Sequence, residues 1–213
     1  MKIFISWSGQ KSGSFAEELK PWLEQVLPGT EVWSSIDDID KGDIWFTEII
    51  DGLKTCHCGV VCVTRDNLAA PWLNFEAGGM VKGLGKAHVA VIALDMDYDE
   101  LKQPLSLFNA LHLNRVGAWH LVKSFNKLSE RPILDRVLER TFEKFWPDID
   151  GAYRLLFPDS HKRIQGAEPL RIAPKPTDMV FGNPPPSKAK GRRKSIEEPA
   201  PDEQPDLFNG GKK

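Results

Sequence analysis

Two stretches of this chain, residues 59–64 (GVVCVT) and 88–94 (HVAVIAL), run apolar with almost no polar break. A strand with one wet face alternates, so an unbroken run requires cover on both faces, and that points to interior strands of a parallel sheet. Residues 3–6 form a shorter run of the same kind, and Glu31-Val32-Trp33-Ser34 reads as a further strand. A weaker fifth strand is expected around 111–113.

The segments between these runs carry helical periods. Phe15, Leu19, Trp22, Leu23, Val26 and Leu27 mark a first helix, with Ser14 and Glu17 as its capping box and Pro21 as a bend or break within it. A polar loop at Asp37 to Gly42 leads into a helix bearing Ile44, Trp45, Ile49, Ile50 and Leu53. Another helix carries Trp72 and Glu76, and two more close the domain, one near 119–128 and one with Ile133, Val137, Leu138, Phe142 and Phe145. Strands alternating with helices imply right-handed crossovers and a doubly wound five-stranded α/β sheet. In the flavodoxin-like order 2-1-3-4-5 the winding reverses between strands one and three, and a crevice opens at their carboxyl ends. The loop from Ser6 to Gly13 and the segment from Thr64 into the Trp72 helix line it.

Composition sets the boundary of this domain. All seven Trp lie at or before Trp146, whereas ten of the sixteen Pro lie at or after Pro158, so core-forming sequence thins out near residue 157. The expected division is an α/β domain over 1–150 and a flexible, disordered Pro/Lys-rich C-terminal tail over 151–213. A formal charge of -2 leaves no chain-wide footprint for nucleic acid, which only the basic run Lys188, Lys190, Arg192, Arg193 and Lys194 would touch weakly. No apolar run approaches the roughly 20 residues that span a bilayer, and no secretory signal opens the chain, so no membrane partner and a cytoplasmic location are expected. Cys56, Cys58 and Cys62 are odd in number and clustered, which fits a reducing compartment better than a disulfide framework.

Trp72 and Glu76 stand four residues apart, about one helical turn, which stacks a carboxylate beside an indole on one face. Beside the crevice, that pair can stabilise a sugar cation while a flat ring leaves; elsewhere it would be a core anchor and a solvated acid. Other clusters read less sharply. Asp37, Asp38 and Asp40 lack the further oxygens and closing Glu of a calcium loop. Cys56-His57-Cys58 with Cys62 makes a poor zinc tetrahedron, so no metal is expected. Ser6 and Thr64 stand where a phosphoryl receiver needs acids. Gln204-Pro205-Asp206-Leu207-Phe208 resembles the short peptide that docks on the bacterial sliding clamp.

Taken together, Phe4-Ile5-Ser6, the loop Asp37 to Gly42 followed by Trp45 and Ile49, and the WxxxE of Trp72 to Glu76 resemble a bacterial TIR (Toll/interleukin-1 receptor) domain protein of the NAD-cleaving type, over about residues 1–145 in the same order. The loop carries Asp38-Ile39-Asp40-Lys41-Gly42 in place of the Arg-Asp-x-x-Pro-Gly of many adaptor TIR domains. Gln10 and Lys11 replace acidic residues of many relatives. The resemblance implies that Glu76 is the catalytic carboxylate, with Ser6, Trp7, Ser8, Trp72 and Trp45 around the substrate. Asp37, Asp38, Asp40, Lys41 and Gly42 would be the BB loop, a gate or an assembly contact.

Ordinary glycosides need a general acid and a second carboxylate. Nicotinamide leaves NAD from an already cationic ring, so one carboxylate that steadies the ribose cation suffices. The resemblance implies nicotinamide plus ADP-ribose or a cyclic ADP-ribose isomer, NAD+ as substrate with no other cofactor, and self-association through TIR domains. It further implies an antiviral defence role with a separate sensor or effector. Two alternatives stay open: a non-enzymatic module that signals by self-assembly, and a nucleoside N-ribosyl or deoxyribosyltransferase of related fold.

Overall fold

Successive side chains of a strand face opposite ways, and in β1 (Lys2–Ser6) both sets are buried: Ile3 and Ile5 enter one core, Phe4 the other. β3 (Cys58–Val63) repeats the pattern, with Cys58, Val60 and Cys62 on the first face and Val61 and Val63 on the second. Both strands are therefore interior, as their near-continuous apolar character requires. The computed structural model describes residues 1–34, 55–71, 73, 88–166 and 170–172. The expected helix over Ile44 to Leu53, most of the Trp72 helix and the chain beyond residue 172 lie outside the described residues.

β1 pairs in parallel with β2 (Glu31–Ser34) on one side and with β3 on the other. β4 (His88–Ala93) follows β3, and β5 (Asn109–Leu111) follows β4, again in parallel. The expected order 2-1-3-4-5 is thus present, with one addition. Leu170–Arg171 form β6, antiparallel to β5 at the edge of the sheet.

Among the described residues, three long helices cover the first face. α1 (Gln10–Val26) buries Phe15, Leu19, Trp22 and Leu23; α2 (Arg115–Asn126) buries Leu121 and Phe125; α3 (Asp135–Leu156) buries Leu138, Phe142, Ile149 and Tyr153. Asn114 caps α2 by accepting from the Gly117 amide at 2.9 Å. The Trp22 indole N–H donates to the Phe145 carbonyl at 3.0 Å, tying α1 to α3. The second face packs against Leu73 and against Met96, Leu101 and Leu105 from the β4–β5 connection. Each such side chain contributes about 1.5–3 kcal/mol by leaving water.

Four expectations need correction. α1 begins at Gln10, not Phe15, so Ser14 and Glu17 lie inside it and cap nothing. Gly9 at φ 85° takes the cap position, where a residue without a Cβ is least strained, and its carbonyl already accepts from Gly13 at 3.0 Å. Pro21 does not split the helix. It lies on the exposed face with Glu17 one turn earlier, so the carbonyl deprived of a donor faces water. The boundary at 150 falls within α3, and α4 (Pro158–Ile164) follows with Pro at its start. Tyr153, Phe157 and Ile164 from this stretch are buried in the first-face core, and the compact unit extends over Met1–Lys175. The fifth strand lies two residues earlier than expected. Among the described residues no helix is long and apolar enough to cross a membrane.

Candidate functional site

The carboxyl ends of β1 and β3 stand side by side, with Ser6 in register with Val61. The chain leaves β1 through Trp7 and Ser8 into α1, and leaves β3 through a turn that begins at Thr64. One side chain joins the two exits. Asn67, only 3% exposed, accepts from the Thr64 amide through Oδ1 at 2.8 Å, and its Nδ2 faces the Ser8 carbonyl at 2.9 Å, Ser12 Oγ at 3.1 Å and the Cys62 carbonyl at 3.1 Å. Ser12 in turn donates to the Ser8 carbonyl at 2.6 Å. These bonds supply partners for polar groups that burial would otherwise strand.

Of the expected site residues, three lie within the described structure. Ser6 is fully buried at the end of β1. Trp7 is half-buried, packed on the first-face core, with Nε1 donating to Ser34 Oγ at 2.9 Å. Ser8 is half-buried and its carbonyl is held by Asn67 and Ser12. The loop is thus anchored at two points, to the last residue of β2 by Trp7 and to the β3 turn by Asn67. Trp45, Asp37, Asp38, Asp40, Lys41, Gly42, Trp72 and Glu76 lie outside the described residues. Their neighbours Pro71 and Leu73 are helical, with Leu73 buried in the second-face core.

Sequence reasoning missed Asn67, Ser12 and Ser34. Thr64 and Asn67, three apart after a buried strand, carry the signal of a side-chain-stabilised turn. The acceptors on the β1 exit carry no such local signal.

A charged cluster flanks the turn. Arg65 makes a two-pronged pair with Glu100, Nε to Oε2 at 2.8 Å and Nη2 to Oε1 at 2.6 Å, and its backbone amide donates to Asp95 at 2.8 Å. The Arg65 guanidinium, and after it the Asp97 amide, hold the Glu100 carboxyl down at about 2. Beside it His112 stacks on Tyr98 with ring centres 4.0 Å apart, and burial lowers its imidazole pKa. The cysteines divide between the two faces, Cys58 and Cys62 on the first and Cys56 on the second. Burial raises all three thiols, Cys56 to about 11, which keeps them protonated and unreactive at neutral pH. An apolar cavity of about 130 Å³ between β4, β5 and α2, rimmed by Asn109, His120 and Ser124, is separate from the crevice.

The winding reversal between β1 and β3 and the exit loop braced on both sides form the candidate site, and the WxxxE sequence of Trp72 to Glu76 follows the β3 turn in the chain. The 2' cyclic ADP-D-ribose synthase AbTIR of Acinetobacter baumannii is similar to this chain, 26% identical over 92 residues that cover 43% of this chain and 34% of that protein. The matched part thus spans about a third of that relative's length. Among solved structures, the TIR domains of the activated Roq1 resistosome recognizing the pathogen effector XopQ align with a TM-score of 0.41 at 15% identity, over 78% of this chain and 95% of that one. The profile of the TIR domain matches residues 3–128, more than half of the sequence, from within β1 to just past the end of α2, and the chain belongs to that family.

Proposed function

We propose that this protein cleaves the bond between nicotinamide and ribose in NAD, with Glu76 as the catalytic carboxylate. The C1'–N bond breaks with its electron pair moving to the pyridinium nitrogen, so nicotinamide departs neutral without a proton donor. The ionised Glu76 offsets the charge left on the ribose and holds its hydroxyls. Water then attacks C1' and loses a proton to give ADP-ribose; attack by the adenine or by a ribose hydroxyl gives a cyclic isomer instead. Trp72 and Trp7 wall the reacting ring, Trp45 flanks it, and Ser8 and the amides at the start of α1 face the pyrophosphate, with Ser6 buried behind them. The scheme calls on no metal and no further cofactor.

The observation that carries this reading is the bracing of the β1 exit on the β3 turn by Asn67, immediately ahead of the segment that holds Trp72 and Glu76. A preorganised loop at a winding reversal is what a dinucleotide needs to be held at both ends. The name of the Acinetobacter relative points the same way. Under this proposal the loop Asp37, Asp38, Asp40, Lys41 and Gly42 contacts a second copy or gates the site, activity rises steeply with protein concentration, and the cytoplasmic role is antiviral defence.

The test incubates concentrated protein with NAD and resolves the products by mass, beside Glu76→Gln. Nicotinamide release that falls about a hundredfold or more in a folded variant supports the assignment; an unchanged rate overturns it. Absence of nicotinamide at every concentration favours a module that acts only by assembly, and base exchange on free nucleosides favours a ribosyltransferase.

A further inference from the structure

We propose that Asn67 is the positioning residue of the crevice, holding the β1 exit against the β3 turn in the place at which the dinucleotide reacts; this rests on the NAD-cleaving reading. The turn after β3 has a backbone closure beside the bond from the Thr64 amide to Asn67 Oδ1. Backbone bonds from Asn67 and Leu68 to the Thr64 carbonyl, at 3.2 and 3.0 Å, and from Ala70 to the Asn67 carbonyl, at 2.8 Å, already close it. Three of the four groups around the carboxamide instead lie on other elements or strand ends: Ser8, Ser12 and Cys62. The side chain therefore joins segments that are far apart in sequence.

The chemistry of the pocket selects a carboxamide. It needs an acceptor toward the Thr64 amide and donors toward two carbonyls and a hydroxyl, and an amide has one of each kind of end. A carboxylate would keep the acceptor but turn an anionic oxygen toward the Ser8 and Cys62 carbonyls. An alanine would leave buried groups without partners. Either change frees the segment that carries Trp7, Ser8 and the Gly9 turn into α1. A shift of about 1 Å in a positioning element lowers turnover about a hundredfold without touching the reacting groups.

The test compares Asn67→Ala and Asn67→Asp with Asn126→Asp. Asn126 is a buried brace of the same kind, 4% exposed, with its carboxamide exchanging two 2.8 Å bonds with the Ile133 backbone away from the crevice. Amide hydrogen exchange of the peptide over residues 6–13 is expected to accelerate in both Asn67 variants and not in Asn126→Asp, while the peptide over 58–63 stays protected in all. Turnover per folded molecule is expected to fall about a hundredfold in the Asn67 variants and to hold in Asn126→Asp. In Asn67→Asp the introduced carboxyl regains one donor when protonated, and burial raises its pKa. The ratio of Asn67→Asp to wild-type turnover should therefore rise as pH is lowered from about 8 to about 5.5, whereas that of Asn67→Ala stays flat. Unchanged exchange over 6–13, or an equal loss of turnover in Asn126→Asp, overturns the proposal. If the wild type releases no nicotinamide, the NAD reading fails by itself, and the exchange data still decide whether Asn67 holds the loop.

Discussion

The ring of Trp7 occupies the space that a side chain on Gly13 would need: a Cβ built at Gly13 meets three ring carbons at 2.5, 2.8 and 2.9 Å. The ring is also held by its bond to Ser34, so it does not slide away freely. Alanine in a helix interior normally stabilises by about 1 kcal/mol over glycine. Gly13→Ala is expected to do the reverse, destabilising by roughly 1–3 kcal/mol through overpacking. A urea midpoint at or above that of the wild type would show that the indole has room to move.

Truncation tests where the folded unit ends. A chain cut after Asp150 loses Tyr153, Phe157 and Ile164, all buried in the first-face core. At about 1.5–3 kcal/mol for each large side chain, that loss is comparable with a typical total stability of about 5–15 kcal/mol. The 1–150 fragment should show no cooperative thermal transition, whereas a fragment ending at Lys175 should keep one.

The alkaline side of the stability profile follows from groups kept neutral by burial. The three thiols and the Tyr153 phenol all have pKa values raised in the folded state, so their contribution is complete below the unfolded values and is lost as pH rises. Stability should begin to decline near pH 8.5, where unfolded cysteines ionise, and more steeply past about 10, where unfolded tyrosine does. Tyr153→Phe should soften the second phase. It also removes the bond to the Leu94 carbonyl, costing about 1–2 kcal/mol at neutral pH.

Glu100 behaves in the opposite sense. Its folded pKa is depressed to about 2, so its contribution is present above the unfolded value of about 4.3 and fades as pH falls toward 2. Glu100→Gln should therefore flatten the acid limb of the denaturation curve between those values. Added salt should shrink the difference, because Arg65 and Glu100 are partly open to solvent. Equal acid limbs for the two proteins would show that the pair does not act on stability.

The sheet was legible because burial on both faces leaves a strand little choice of residue. Val60, Val61 and Cys62 carry that signature, whereas the order 2-1-3-4-5 was expected as the flavodoxin-like arrangement and was not carried by any single residue. The start of α1 was not legible, since it depends on Gly9 adopting φ 85° and on Trp7 lying over Gly13, a contact made through space. The end of α3 and the whole of α4 were hidden by composition. Tyr153, Phe157, Ser160 and Ile164 recur at helical spacing, but Arg154, Asp159, Lys162 and Arg163 between them read as a solvated linker. Asn67 went unread, because its partners on the β1 exit are distant in the chain. Trp72 and Glu76 stood out through their spacing together with the expected crevice, and neither observation alone would have marked them.

The fastening of Tyr153 to the Leu94 carbonyl, and of β6 to β5, means that the sheet is closed by its latest-synthesised parts. A nascent chain emerging from the ribosome exposes the apolar sides of α1 and α2 until α3 arrives to cover them. Premature termination anywhere before that helix yields a sticky fragment, not a smaller working protein.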